Sequence, residues 1–155
     1  MAATAWAFFN NAKKKLGTNT AGIRLDAGIP KLSLHTSAAA LNTSASARVL
    51  STLGSVGGQI ATAGGYAAGG RTIASVVWTV AGDPASVKWD ASDLVFTASG
   101  ANLSNIKFAV IHFSAGAVTS GALLCWSKLS TAQFSVTTNN TLTIQFAAAG
   151  IFTLT

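Results

Sequence analysis

The sequence predicts an all-β fold, an antiparallel β-sandwich or a jelly-roll-like barrel, with a short N-terminal helix or arm. From Arg71 onward, short segments that alternate apolar and polar residues recur at close spacing, with turn residues between them. The chain has 155 residues, 50% of them hydrophobic, which is enough to bury one sizeable core. No internal repeat and no long linker is visible. We therefore expect residues 1–20 to form the helix or arm and residues 21–155 a single sandwich domain.

The N-terminal segment predicts an amphipathic helix over Ala3 to Leu16. Its apolar residues recur at spacings of three and four, at Trp6, Phe9, Ala12 and Leu16. Lys13 to Lys15 would complement the helix dipole in the last turn, and Gly17 follows as a stop signal. Two interpretations stay open. The segment is either an arm that docks on a neighbouring molecule or a helix packed on its own domain.

The next part of the chain predicts two short strands and a glycine-rich loop. The strands are Gly22 to Asp26 and Lys31 to His35, and Leu32 and Leu34 alternate with polar residues in the second. Residues 54–70 form the loop, which paired glycines punctuate. Since neither GxGxxG nor GxxxxGK[ST] occurs there, we expect no phosphate site.

The remaining half of the chain predicts nearly continuous β-structure. The predicted strands are Arg71–Val80, Val87–Ala98, Asn105–Phe113, Ala122–Leu129, Gln133–Thr137, Thr141–Phe146 and Ile151–Leu154. In the segment from Thr141 the alternation is clear, with Leu142, Ile144 and Phe146 on one face.

Composition excludes some classes of protein and favours an assembly subunit. Charged residues are only 9%, there is no glutamate, and the net charge is +6. A single cysteine, Cys125, rules out a disulfide scaffold, and the apolar content argues against disorder. A monomer covers its surface with charge, whereas a subunit that buries its surface against neighbours needs less.

The charge pattern also bears on location and on nucleic acids. The basic cluster at Lys13 follows the apolar start of the chain, which is the wrong order for a secretory signal. The longest charge-free stretch, Leu129 to Thr155, is interrupted by polar residues, so we expect no membrane. Only one basic cluster is concentrated and no recognition motif occurs, so no specific nucleic acid is expected. Diffuse basicity also suits attachment to an acidic protein surface.

No motif predicts catalysis, a metal or a cofactor. His35, His112 and Cys125 lack the spacing of zinc ligands. Asp90 and Asp93 are three residues apart, which places them on opposite faces of a strand. Because no GxSxG motif is present either, we expect no enzyme.

Six segments, in this order, resemble a family of small tailed-bacteriophage virion proteins. They are Lys31–Ser37, Gly65–Gly70, Asp93–Ala98, Lys107–His112, Ala122–Trp126 and a closing hairpin over Thr141–Leu154. The resemblance spans nearly the whole chain. The chain departs from the family where Lys107 replaces arginine, His112 replaces tyrosine, Cys125-Trp126 replaces Gly-Tyr and Lys128 replaces an acid.

The resemblance implies a capsid decoration, or cement, protein. Such a protein is made in the host cytoplasm and binds the major capsid protein on the capsid surface after shell assembly. It acts as a homo-oligomer, often a trimer, and clamps the shell against internal pressure. The predicted contacts are Trp6, Phe8, Phe9, Lys13, Lys14 and Lys15 in a docking arm, and Tyr66 in the glycine-rich loop. A core helix and a plain surface loop are the alternatives for these two segments.

Other functions stay open on the sequence alone. One is a tail, neck or fibre subunit of the particle, which copy number would distinguish. Another is a receptor- or carbohydrate-binding sandwich that uses Trp78, Trp89 or Trp126, although all three lie in predicted strands. An enzyme and a salt-sensitive nucleic-acid binder are the remaining alternatives.

Overall fold

A computed structural model describes residues 3–18, 23, 25, 28–39, 41, 58–80, 86–115 and 117–154. In these residues one helix, α1, spans Asn10–Thr18. The strands are β1 (Ala7–Phe8), β2 (Pro30–His35), β3 (Arg71–Thr72), β4 (Val77–Val80), β5 (Val87–Asp90), β6 (Leu94–Thr97), β7 (Leu103–Ile106), β8 (Phe108–Ala115), β9 (Ala117–Lys128), β10 (Phe134–Val136), β11 (Thr141–Ile144) and β12 (Phe152–Leu154). The predicted strand at Gly22 to Asp26 and the start of the loop, residues 54–57, lie largely or wholly outside the described residues.

A five-stranded antiparallel sheet forms one layer of the molecule. Its strand order is β1-β9-β8-β2-β3. β8 and β9 are its longest strands, and their register shifts twice, after Ile111 and after Phe113. The inner face of this sheet carries Leu32 and Leu34 from β2, both fully buried. The predicted strand Lys31 to His35 is confirmed as β2, with Pro30 added at its start.

Smaller antiparallel sheets pack against that layer. The orders are β12-β5-β4, β11-β6 and β10-β7. Trp89 of β5 lies with its ring centroid 6.3 Å from that of Phe113 in β8, and Phe152 of β12 lies 4.5 Å from Phe8 of β1. These aromatic contacts join the two layers across the core. The fold is therefore all-β and sandwich-like, as predicted, and the described sheets do not close into a barrel.

Three of the predicted strands are each divided in two. Arg71–Val80 becomes β3 and β4, Val87–Ala98 becomes β5 and β6, and Asn105–Phe113 becomes β7 and β8. At each break the chain passes from one sheet to another. Between β3 and β4, Ser75 adopts a left-handed φ of 53°, which ends the extended conformation.

The last two strands do not form the closing hairpin that the resemblance implies. β11 pairs with β6, and β12 pairs with β5 in a different sheet. Between them the Asp93 carboxylate accepts a hydrogen bond from the Phe146 N–H at 2.9 Å. The face predicted for Leu142, Ile144 and Phe146 is confirmed, because these side chains turn inward while their neighbours are exposed.

The predicted helix over Ala3 to Leu16 is wrong in its first half. Residues 3–9 run along the edge of the five-stranded sheet, and α1 begins only at Asn10. β1 pairs with β9, Ala7 opposite Trp126 and Phe8 opposite Cys125. The Phe9 carbonyl then accepts from the N–H of Ala12 at 2.9 Å and starts the helix. Pairing with an open sheet edge therefore overrides the helical periodicity of the apolar residues.

Candidate functional site

The aromatic residues predicted to dock on a partner are held by the chain's own domain. The Trp6 ring lies 6.0 Å from that of Phe146, and Phe8 makes the edge-on contact with Phe152. Phe9 is fully buried. Backbone hydrogen bonds fix the segment at both ends, from the Thr4 N–H to the Lys128 carbonyl at 2.9 Å and from the Phe9 N–H to the Leu124 carbonyl at 3.1 Å. Of the two interpretations left open by the sequence, the segment packed on its own domain is the one observed.

Tyr66, the predicted contact in the glycine-rich loop, is a core residue. Its side chain is only 3% exposed. The hydroxyl accepts hydrogen bonds from the Leu34 N–H at 3.1 Å and from Gln59 Nε2 at 2.7 Å. Burial raises the pKa of Tyr66 to about 12, and these two bonds act in the opposite direction. The prediction of a surface contact at Tyr66 is therefore corrected.

The Tyr66 hydroxyl completes one edge of β2. β3 pairs with Lys31 and Leu32, and a bridge joins His35 to Gln59. Between β3 and Gln59, the Leu34 N–H points towards this edge of β2. Without the Tyr66 hydroxyl it would have no hydrogen-bond partner. Nothing in the local pattern around Tyr66 reveals this role, because it depends on a strand 32 residues away.

The predicted lysines lie at the surface of α1. Lys13 and Lys14 are exposed and Lys15 is half-buried. The helix packs against β9. The five-stranded sheet adds two lysines, Lys31 in β2 and Lys128 at the end of β9, whereas its arginine, Arg71 of β3, donates a hydrogen bond to the Val95 carbonyl of the other layer. We call these five residues, Lys13, Lys14, Lys15, Lys31 and Lys128, the basic side.

Charge is divided unequally between the two layers. α1 and the strands of the five-stranded sheet contain no aspartate or glutamate. The aspartates in the described part of the chain, Asp90 and Asp93, lie in or beside β5 and β6 of the other layer. There Lys88 Nζ lies 3.2 Å from the Asp90 carboxylate. Within the described residues, the helix and the sheet that carry the basic side therefore contribute positive charge and no acidic side chain.

Two buried histidines lie in the β2–β8 pair. His35 is fully buried and His112 is 2% exposed, and Lys31 is the residue paired with His112. Burial lowers the pKa of His35 to about 3 and that of His112 to about 4, so both rings are neutral at pH 7. The repulsion between the two rings lowers the pKa of His35 further, and Lys31 does the same for His112.

The histidine pair has a hydroxyl neighbour, and all three side chains are buried. Ser33 Oγ lies 2.9 Å from His35 Nε2, while His35 Nδ1 and both ring nitrogens of His112 make no hydrogen bond of ordinary geometry. Ser33 is itself fully buried. Cys125 is buried too, and burial raises the pKa of its thiol. Within the described residues, no cluster of three or more potential metal ligands occurs.

An open groove of about 640 Å³ lies between the N-terminal segment and the C-terminal part of the chain. Trp6, Phe134 and Leu142 supply apolar walls, and Thr4 and Gln145 supply polar groups. None of the described residues that line it carries a titratable side chain. These residues can bury an apolar or amide group.

The four tryptophans are packed within the domain. All four lie in the described part of the chain; Trp89 is fully buried, and Trp6, Trp78 and Trp126 are half-buried. Trp126 packs edge-on against Phe108 at 5.9 Å. Carbohydrate-binding platforms need exposed aromatic faces, and these rings are engaged in the domain's own packing.

One exposed apolar feature was missed from the sequence. β4 is the outer strand of its sheet, and Val77 and Val80 are 48% and 61% exposed. The sequence indicated a strand there, but the alternation of residues could not show that it would lie at an edge. We refer to Val77–Val80 as the β4 edge.

None of the described helical structure has the length and hydropathy needed to cross a membrane. Comparison of the chain with protein-family models, with curated proteins and with solved structures finds no match.

Proposed function

We propose that this chain is a structural subunit of a tailed-bacteriophage virion, a capsid decoration protein that binds the assembled shell of the major capsid protein and stabilises it. The observation that carries this proposal is the basic side. Five lysines carried by a helix and a sheet whose described residues include no aspartate or glutamate are suited to an acidic protein surface. Its location would be the outer surface of the capsid, after synthesis in the host cytoplasm.

The stabilising mechanism is mass action. A protein that binds the assembled shell, and not its dissociated subunits, lowers the free energy of the assembled state by its binding free energy. Many symmetric copies multiply that effect. Complementary charge also speeds the encounter and fixes the orientation of the bound subunit.

Two further observations support a subunit of an assembly. The sequence motifs resemble a virion protein family in one order along nearly the whole chain. The low charge content, 9%, is suited to a protein that covers part of its surface with neighbours. In this proposal the basic side makes the contact with the shell in place of the docking arm that the sequence predicts, because Trp6, Phe8 and Phe9 pack within the domain.

The first test is the copy number of the chain in purified virions, measured by quantitative mass spectrometry relative to the major shell protein. A decoration protein is expected at a ratio comparable to the shell protein. A ratio far below that would place the chain in the tail, neck or fibre. Absence from the particle would overturn the structural role.

The second test removes charge from the basic side. The variant K13Q/K14Q is expected to bind shells lacking this chain at least tenfold more weakly, and added salt should weaken wild-type binding. The matched control S92E/S135E lowers the net charge by the same amount at two exposed positions of the other layer. Equal losses in both variants would show that net charge, and not the basic side, governs binding.

A further inference from the structure

The β4 edge has the properties of a strand that pairs with another strand. In the described residues β4 pairs with β5 on one side only, so half of its backbone N–H and C=O groups point away from the sheet. Natural edge strands are usually protected by lysine, proline or a bulge. β4 has the sequence VWTV, and its register with β5 is regular. None of these protections is present in the strand.

The side chains of β4 divide into an outer and an inner face. Thr79 and Val77 lie on the outer face, with Thr79 opposite Lys88. Trp78 and Val80 lie on the inner face, where Trp78 is opposite the buried Trp89. The apolar row of the inner face continues past the covered core, because Val80 and Leu154 both pair with Val87 and both are exposed.

We propose that the β4 edge pairs with the β4 edge of a second copy of this chain, antiparallel and about a two-fold axis at Thr79. A second copy is the occupant that satisfies both faces at once. A two-fold axis normal to the sheet keeps the inner faces of the two copies on the same side. Two residues that lie opposite each other must therefore both be odd-numbered or both be even-numbered. With Thr79 opposite Thr79, each Trp78 lies opposite Val80 of the other copy.

This register covers the most exposed apolar residue of the strand. Val80 gains an aromatic neighbour, and aromatic–β-branched pairs are among the favourable cross-strand pairs. The alternative register, with Trp78 opposite itself, leaves Val80 facing Val76, which lies outside the strand. The axis through Thr79 also joins the two three-stranded sheets into one six-stranded sheet.

The proposed contact does not depend on the proposed function, and it responds differently to salt. Both copies carry a net charge of +6, so added salt should strengthen self-association by screening their repulsion. Salt should weaken binding to an acidic shell surface. The two-fold contact also closes with two copies, whereas the trimer that the resemblance implies needs a head-to-tail contact.

A disulfide tests the register directly. Across an antiparallel pair, opposite Cα atoms lie about 4.5 or 5.5 Å apart, and both distances permit a disulfide. T79C is therefore expected to form a covalent dimer under mild oxidation. T153C is the matched control, because Thr153 is exposed and pairs with the same Lys88 from the opposite edge of the sheet. Dimers from T153C but not T79C, or from neither, would overturn the proposal.

A charge at the edge tests the contact without a crosslink. By sedimentation equilibrium the wild-type chain should dimerise with a dissociation constant on the order of micromolar to millimolar, since a four-residue edge is a small interface. V80K should raise the dissociation constant of the dimer at least tenfold, because it places a charge at the edge. I29K is the control, because Ile29 is exposed to the same 61% and gains the same charge. A monomeric wild type, or equal weakening in both variants, would contradict the β4 contact.

Discussion

At the scale of single residues, the buried polar groups of β2 and β8 are the most informative feature. The Tyr66 hydroxyl satisfies the Leu34 N–H, whereas three ring nitrogens of His35 and His112 make no ordinary hydrogen bond. A neutral histidine tolerates that position because it carries no charge to desolvate. A protonated histidine does not, and this difference makes the stability of the fold depend on pH.

We predict that the fold loses stability as the pH falls below about 6.5. The pKa is about 3 for His35 and about 4 for His112 in the folded chain, against 6.5 for an unperturbed histidine. Between these values the unfolded chain binds more protons, so unfolding becomes easier as the pH falls. At pH 5 the loss should be about 2 kcal/mol for each histidine relative to pH 7.5. Denaturant unfolding at a series of pH values measures it.

The variant H112L isolates one of the two histidines. Leucine of similar volume removes two buried ring nitrogens that make no hydrogen bond of ordinary geometry, so the stability of the variant at pH 7.5 should differ from that of the wild type by less than about 1.5 kcal/mol. Its loss of stability between pH 7.5 and 5 should be about half that of the wild type. An identical pH dependence in the two proteins would show that His112 does not titrate on unfolding.

At the scale of elements, the close approach of the glycine-rich loop to β2 decides the packing. Gly70 adopts a φ of 75°, and a Cβ there would overlap the carbonyl oxygen of Leu32. Gly100 has a similar φ of 74°, but a Cβ there would meet no atom within 4 Å. A comparison of alanine substitutions at Gly70 and Gly100 therefore separates the cost of backbone strain from the cost of steric overlap.

We predict that G70A destabilises the fold far more than G100A. G100A should cost about 1–2 kcal/mol, which is the strain of a left-handed alanine. G70A adds an overlap with the backbone of β2 and should cost more than about 3 kcal/mol. Thermal unfolding followed by circular dichroism compares the two variants. Equal destabilisation by the two substitutions would mean that the loop can move away from β2 without loss of stability.

At the scale of the whole molecule, the two ends of the chain are packed together. β1 pairs with β9, and the Trp6 and Phe8 rings contact Phe146 and Phe152 near the C-terminus. The N-terminal segment is therefore part of the sandwich core. A truncation meant to remove a docking arm would also remove packing that the fold requires.

We predict that deletion of residues 1–9 unfolds most of the chain at 37 °C. The deletion removes an edge strand and three aromatic side chains, each worth roughly 2–5 kcal/mol depending on its burial. K13Q leaves these contacts intact and should keep the wild-type melting temperature. A truncated chain that melts like the wild type would contradict the role of β1 in the core.

The candidate site was predictable only in part. The lysines of the basic side are visible in the sequence, and the three in α1 are exposed or half-buried at the surface, because long charged side chains keep their charge in water wherever the helix lies. Trp6, Phe8, Phe9 and Tyr66 were predicted as contacts from their position in an arm and a loop. Whether an aromatic ring is exposed depends on which strand lies beside it, and that is not a local property.

The sequence by itself determined the fold class, most of the strands and the inward face of β11, because alternation along a strand records which face meets the core. In the structure, the buried positions change from odd to even residue numbers between Trp89 and Leu94, where the chain leaves β5 and enters β6 in another sheet. Only the tertiary structure decided the strand order, the pairing of residues 3–9 with β9 and the exposure of β4. Alternation fixes how each strand faces the core, whereas the identity of its neighbours depends on contacts between residues far apart in the chain.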